Sequence, residues 1–340
     1  MAARRPARGR PGGGGRPSSG GRSSSGRAAS GGQPKGASGR GRRTGSAPTG
    51  APRSRGAGRT GPVKPGISSD RGDKRTRSTA LGSTRDKRSD ERDDLGGTQI
   101  EGRQAVRELL IAGKRRVHEV WIANERDVSD VVEDIVQLAR ANRVPVVEVS
   151  RKKLDYAARS EAPQGVLARA DALMPVNFDA LVKRRPGRAP FLVAVDGVTD
   201  PGNLGAILRC CDGAGVDGVV LPRHRSVHVT PTTAKASVGA CEHVPMALVG
   251  GLPTALAKMR EVGIWVVGLD DASDKSLFEL GDLAKEGVCL VLGAEGAGLS
   301  RLVRERCDLI VSIPMRGRLS SLNVSTAAAL ATYEVARHRR

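Results

Sequence analysis

Three segments in the C-terminal half combine residue types that could do chemistry. The first is Asp200-Pro201-Gly202-Asn203-Leu204-Gly205-Ala206-Ile207-Leu208-Arg209. Asp-Pro-Gly predicts a turn, and Asn203 suits the N-cap of a following helix. Leu204, Ile207, Leu208 and Cys211 would share its apolar face, which leaves Arg209 off that face and free for a ligand. Alone, this segment reads equally as a capped helix with a solvated arginine. The second, Leu292-Gly293-Ala294-Glu295-Gly296-Ala297-Gly298-Leu299, follows an apolar run. Its glycines let backbone approach a ligand closely, and Glu295 sits among them. The order G-x-x-G-x-G is not the dinucleotide fingerprint, and no Lys-Ser/Thr follows to make a P-loop. The third, Ile313-Pro314-Met315-Arg316-Gly317-Arg318-Leu319-Ser320-Ser321-Leu322-Asn323-Val324-Ser325, leads into a helix rich in small residues. Ser321 or Asn323 could simply cap that helix. No G-x-S-x-G elbow surrounds either serine, and no metal-ligand spacing occurs. The chemistry on offer is polar and charged positioning, without a metal.

These segments need a rigid frame. Continuous apolar runs at 191–195, 218–221, 264–267, 288–292 and 309–313 suit parallel strands covered on both faces. Helical patterns at 204–214, 252–261 and 324–336 alternate with them, predicting an α/β fold with a mostly parallel sheet. Upstream, short helical patterns at 105–110, 131–138 and 154–158 alternate with strand patterns at 117–122, 146–149 and 166–168. We assign 98–173 to a small α/β domain, 174–189 to a linker rich in Pro and charge, and 190–340 to the larger domain.

The net charge of +20 is uneven: residues 1–95 hold 23 Lys/Arg against 7 Asp/Glu, and no Phe, Tyr or Trp. Such a segment cannot bury enough apolar surface to offset roughly 1–2 kcal/mol of backbone entropy per residue. Residues 1–97 are therefore expected to form a disordered basic arm, either a non-specific tether to RNA phosphates or a solubilising tail. No apolar stretch reaches the ~18 residues of a membrane span. Five cysteines without a C-x-x-C pair suggest neither a zinc site nor a disulfide framework, and fit a reducing cytoplasm.

As a set and in this order, N-x-G-x-x-x-R, L-G-x-E-G-x-G and I-P-M-x-G-x-x-x-S-L-N-V-S resemble the three motifs of the SpoU/TrmH branch of the SPOUT methyltransferases. The resemblance covers about residues 190–340. Residues 100–170 resemble that branch's small substrate-binding domain, through Gly102-Arg103-Gln104-Ala105-Val106 and Gln164-Gly165-Val166, with Pro163 where members often have His. The combination is most similar to bacterial 23S ribosomal RNA guanosine 2′-O-methyltransferases.

The resemblance implies a parallel sheet with a deep trefoil knot, a device nearly absent from proteins. It also implies S-adenosylmethionine as methyl donor, no metal, and a homodimer packed through the knotted domain. The donor would lie against Gly293, Ile313 and Leu322, with Leu269 and Met315 beside them. Arg209 would be the central catalytic group, with Asn203, Glu295, Ser321 and Asn323 around it. In-line methyl transfer needs the ribose oxygen held roughly 3 Å from the methyl carbon, positioning worth ~7–11 kcal/mol. Arginine stays protonated, so Arg209 is expected to engage the phosphate beside the target ribose and stabilise the developing oxyanion. Glu295 would hold Arg209 or its own loop, and Ser321 and Asn323 would fix the ribose. Competing readings are a transfer-RNA ribose methyltransferase and a non-catalytic RNA-binding assembly factor.

Overall fold

The computed structural model describes residues 94–124, 129–183, 186–224 and 226–339. Most of the arm, residues 1–93, lies outside them. Leu95 to Gly97, assigned to the arm, instead join the fold. Leu95 is buried, and Gly97 and Leu95 bracket Val229 through backbone hydrogen bonds of 2.7 and 2.8 Å.

The first layer comprises β1 (Gln99–Glu101), α1 (Arg103–Ala112), β2 (Val117–Ala123), α2 (Asp130–Ala141), β3 (Val146–Val149), α3 (Arg151–Ala157) and β4 (Val166–Ala170). Its sheet runs β1-β4-β2-β3, with β4 antiparallel to both neighbours and β3 parallel to β2. Two details differ from expectation. The α3 helix starts at Arg151 rather than Leu154, because the Ser150 hydroxyl caps it by accepting from Lys153 N. In α2 the buried line is Val132, Ile135 and Ala139, with Val131 and Leu138 at its margin.

The stretch read as a linker carries α4 (Phe178–Val182), capped by Asn177. Phe178, Leu181 and Val182 have helical spacing and pack on the large sheet's core. The large domain then runs β5 (Phe191–Val195), α5 (Pro201–Ala214), β6 (Gly218–Pro222), α6 (Pro231–Ala236), β7 (Met246–Val249), α7 (Leu252–Glu261), β8 (Trp265–Leu269), β9 (Val288–Leu292), α8 (Arg301–Arg304), β10 (Leu309–Val311) and α9 (Val324–His338).

The six strands are all parallel, in the order β10-β8-β9-β5-β6-β7. Alternate strand residues feed the two faces. Phe191, Val193, Val195, Leu290 and Leu292 join the core of α5 and α9. Leu192, Ala194, Cys289 and Val291 join that of α7 and α8. This two-sided burial explains why the strands read as unbroken apolar runs. Strand order reverses between β5 and β9, and crevices at such a switch point, beyond the carboxyl ends of the strands, are where α/β sheets bind ligands.

Both sheets share one apolar core. Around it, Arg115 and Glu242 form a buried bidentate pair at 2.5 and 3.0 Å, and His243 meets Glu108 at 2.9 Å. The small domain thereby rests on α6 and the 3₁₀ turn Ala240–Glu242 that follows it.

Candidate active site

Local sequence decides where the first motif points. The N-cap of α5 is Asp200, not Asn203: the Asp200 carboxylate accepts from Asn203 N at 2.6 Å, and Pro201 occupies the first turn. A carboxylate at this position is favoured by the helix dipole. Asn203 therefore sits inside the first turn with its side chain released from capping. Its amide nitrogen donates to Glu295 Oε2 at 3.1 Å, and its amide oxygen accepts from Asn323 Nδ2 at 3.0 Å.

The network fixes these orientations. Asn323 caps α9, its Oδ1 accepting from Ser325 N at 2.9 Å and from Ser325 Oγ at 2.6 Å. Its only remaining group is the donor NH₂, so Asn203 must offer oxygen there. Asn203 then has only NH₂ for Glu295, and a carboxylate needs a donor. One asparagine thus joins the glycine loop to the start of the last helix.

Glu295 stands at the tip of a tight hairpin. Ala294 and Gly298 exchange two backbone hydrogen bonds of 3.0 and 2.9 Å. Gly293 lies so close beneath that a Cβ there would be 2.3 Å from the Gly298 carbonyl carbon, and Gly298 itself has φ +65°. The hairpin is tied to β5 by Ser300 N donating to Asp196 Oδ2 at 2.7 Å.

A cavity of about 590 Å³ opens beside the hairpin, over the carboxyl ends of β8, β9 and β10. Its lining includes Leu269, Gly293, Ile313, Met315 and Leu322, together with Glu295, Ser321 and Asn323. A larger hollow of about 740 Å³ lies at the opposite end of the sheet, against Phe191, Gly213, Tyr333 and Arg339, and holds none of the motif residues. Arg209 is not in the cavity wall. It is exposed on α5, about 9 Å along the helix axis from Asn203 at 1.5 Å per residue. Glu295 bonds to Asn203 rather than to Arg209. The wall also contains Asp270, Asp271 and Arg304, which sequence reading passed over. Their signal was available: Leu269-Asp270-Asp271 ends a parallel strand at the ligand-binding edge.

The cavity suits S-adenosylmethionine in size and lining. Its volume falls in the ~300–1,000 Å³ range of small-molecule sites. Leu269, Leu292, Ile313 and Leu322 give apolar walls for an adenine ring. Across residues 313–322 no backbone amide or carbonyl makes a hydrogen bond with another described residue, so a purine edge could be read by main chain alone. No thiol lines the cavity. Burial pushes Cys241 and Cys307 up to about 12 and raises Cys211 and Cys289 as well, which disfavours a thiolate nucleophile. Among the described residues no group of three His, Cys, Asp or Glu is placed to hold a metal, and no helix is long and apolar enough to cross a membrane.

A parallel sheet with a polar relay beside a pocket at its carboxyl edge is a frame that can hold a small ligand. The model of the SpoU rRNA methylase family matches residues 190–333, and that for RNA 2′-O ribose methyltransferase substrate binding matches residues 99–176. A Bacillus subtilis protein bearing the name of a TrmH family tRNA/rRNA methyltransferase is 42% identical over 62% of this chain and 85% of its own. A Ralstonia nicotianae 23S rRNA (guanosine-2′-O-)-methyltransferase is 41% identical over 61% of this chain and 83% of its own. The crystal structure of the SpoU methyltransferase AviRb from Streptomyces viridochromogenes, in complex with the cofactor AdoMet, superposes with a TM-score of 0.59. It is 27% identical and covers 71% of this chain and 89% of that one. The chain belongs to the SpoU rRNA methylase family, as an S-adenosylmethionine-dependent RNA 2′-O-ribose methyltransferase.

Proposed function

We propose that this enzyme methylates the ribose 2′-hydroxyl of a guanosine in 23S ribosomal RNA, in the cytoplasm. The single observation that carries the catalytic reading is the Glu295–Asn203–Asn323 relay at the mouth of the cavity. It draws residues from all three motifs to one point, as a shared site requires. The substrate reading rests on the small domain and on the similarity to the Ralstonia protein.

When bound, S-adenosylmethionine supplies a methyl group on a positively charged sulfur. The chain supplies position. Leu269, Ile313, Met315 and Leu322 would hold the donor, and Gly293 would give its backbone room. Ser321, which makes no side-chain hydrogen bond to a described residue, and Asn323 orient the ribose. Arg209, equally without a hydrogen bond or ion pair among the described residues, engages the neighbouring phosphate and steadies the oxyanion as the hydroxyl proton departs. Glu295 holds Asn203, and so keeps the glycine loop against α9.

A homodimer packed through this domain agrees with the exposure of Leu330 and Tyr333 on α9. The trefoil knot is expected where residues 313–323 pass beside the 293–299 loop to line the same cavity. Light scattering of the purified chain should give twice the monomer mass.

Ribose-methylation mapping of total RNA from cells with and without the gene tests the main reading, with wild type and Arg209→Ala added back. Loss of one 23S site, restored only by wild type, is the expected result. Loss of a transfer-RNA mark would keep the chemistry and replace the substrate. No lost mark would leave an RNA-binding factor.

A further inference from the structure

We propose that uncompensated carboxylates in the cavity wall, Asp271 foremost, make the site prefer the charged methyl donor to the neutral-sulfur product. The proposal rests on the cofactor reading above and concerns what the pocket does after transfer. Four charged residues line the cavity: Asp270, Asp271, Glu295 and Arg304. Their charges are not equivalent. Asp270 is neutralised, because Arg304 reaches one carboxylate oxygen while Ala272 N donates to the other at 3.0 Å. Its side chain is only 9% exposed, so it serves as a structural anchor between the end of β8 and α8. Glu295 accepts from an uncharged amide, which leaves its charge intact. Asp271 makes no hydrogen bond or ion pair with any described residue, and it is exposed in the cavity wall. The described lining therefore carries two carboxylates, those of Asp271 and Glu295, that form no ion pair with a described residue.

The two forms of the cofactor differ in the property such a wall senses. In transfer the sulfur–methyl bond breaks and its electron pair stays on sulfur, while the ribose oxygen forms a bond to the methyl carbon and releases its proton to solvent water. S-adenosylmethionine thus carries one positive charge more than the S-adenosylhomocysteine it becomes. The amino-acid end is common to both, so a wall that merely gripped that end would not discriminate. A net negative wall attracts the donor by simple Coulomb interaction and loses that attraction once the methyl has gone. For a surface carboxylate some 5–6 Å from the ligand's charge, the effect is roughly three- to tenfold in affinity. Product would leave faster than donor without any movement of the protein.

The experiment measures affinities, not turnover. Isothermal titration of the full-length wild type and of Asp271→Asn is carried out with S-adenosylmethionine, S-adenosylhomocysteine and sinefungin, whose amine keeps a positive charge in place of the sulfonium. The variant should bind S-adenosylmethionine and sinefungin three- to tenfold more weakly and S-adenosylhomocysteine within about twofold of wild type. Raising salt should narrow the wild-type donor-to-product ratio and hardly change that of the variant. Equal weakening for all three ligands would overturn the proposal and make Asp271 a contact of the common amino-acid end. An unchanged ratio would overturn it as well. If the wild type binds none of the three, the cofactor reading itself fails, which is a separate outcome.

Discussion

Asn203→Asp isolates the relay with almost no change of shape. The substitution keeps the oxygen that accepts from Asn323 and replaces the donor facing Glu295 with a second acceptor. Two carboxylates would then stand where a 3.1 Å hydrogen bond was. Their repulsion at that distance is about 1.3 kcal/mol in bulk water and about 5 kcal/mol at an effective dielectric of 20. Both side chains reach solvent, so a value near 2 kcal/mol is appropriate, or roughly thirtyfold. Folding should be spared, because an acid in the first turn of α5 gains about 0.3–1 kcal/mol from the helix dipole. The pair can escape the repulsion by sharing a proton. Uptake of that shared proton is favoured as pH falls. The assay is methyl transfer from labelled S-adenosylmethionine to total RNA of cells lacking the gene, between pH 5.5 and 8.5. Relative to wild type, Asn203→Asp should be roughly thirtyfold slower at pH 8 and should recover severalfold by pH 5.5. Asn203→Ala, having no proton to share, should run parallel to wild type at a reduced level. Wild-type turnover of Asn203→Asp at pH 8, or identical profiles for the two variants, would refute the relay.

Three further outcomes follow from packing and charge. Gly205→Ala should lower stability by about 1–3 kcal/mol in urea unfolding despite alanine's better helix propensity, because its Cβ would lie 2.6 Å from both Ala236 Cβ and the Thr233 carbonyl oxygen. Glu242→Gln should cost about 3–5 kcal/mol, since Arg115 would be left 5% exposed without its counter-charge, and the double replacement by Met at 115 and 242 should cost less. The Arg337 hydrogen bonds hold the Glu334 carboxyl below the usual carboxylate range, so its stabilisation is complete above the unfolded value of ~4.3 and fades as pH falls through the lower folded value. Glu334→Gln should therefore be less stable at neutral pH and should flatten the acid limb of a melting-temperature profile below about pH 4.

Five of the six strands of the large sheet were legible because burial on both faces leaves no polar alternation to confuse them. What escaped the sequence has specific causes. The α6 segment, Pro231-Thr232-Thr233-Ala234-Lys235-Ala236, has no apolar period, since Gly205 brings it against α5 by backbone approach instead. The β7 strand is four residues long and falls between loops. The α4 helix was masked by the prolines and charges that follow it. The motif residues were legible as a set, but their local roles were not. Asp200 and Asn203 are both good caps, and only the backbone of α5 decides that Asp200 takes the position. That choice is what releases Asn203 to bridge Glu295 and Asn323, a contact across 92 and 120 residues that no local pattern encodes.

The same helix explains why the small domain matters to the site. The α5 helix carries Asn203 and Arg209, and it has little freedom to shift. Gly205 sets it against α6, Gly213 admits the Tyr333 ring of α9 so closely that a Cβ would lie 2.7 Å from its hydroxyl, and Asn323 fastens its first turn. The α6 helix in turn bears on the small domain: Lys235 donates to the Glu161 carbonyl and packs beside Gly102. The buried Arg115–Glu242 pair closes the same junction one element further on, at the 3₁₀ turn Ala240–Glu242. Interiors packed at this density transmit displacement rather than absorb it. On the proposed function, an RNA held by the small domain is coupled to α5 through these packed contacts. Weakening that junction should impair placement of the ribose more than binding of the donor: Glu242→Gln should raise KM for RNA while leaving the S-adenosylmethionine Kd near wild type, below the temperature at which the variant unfolds. A loss of donor binding in a folded variant would mean the junction supports the cavity itself.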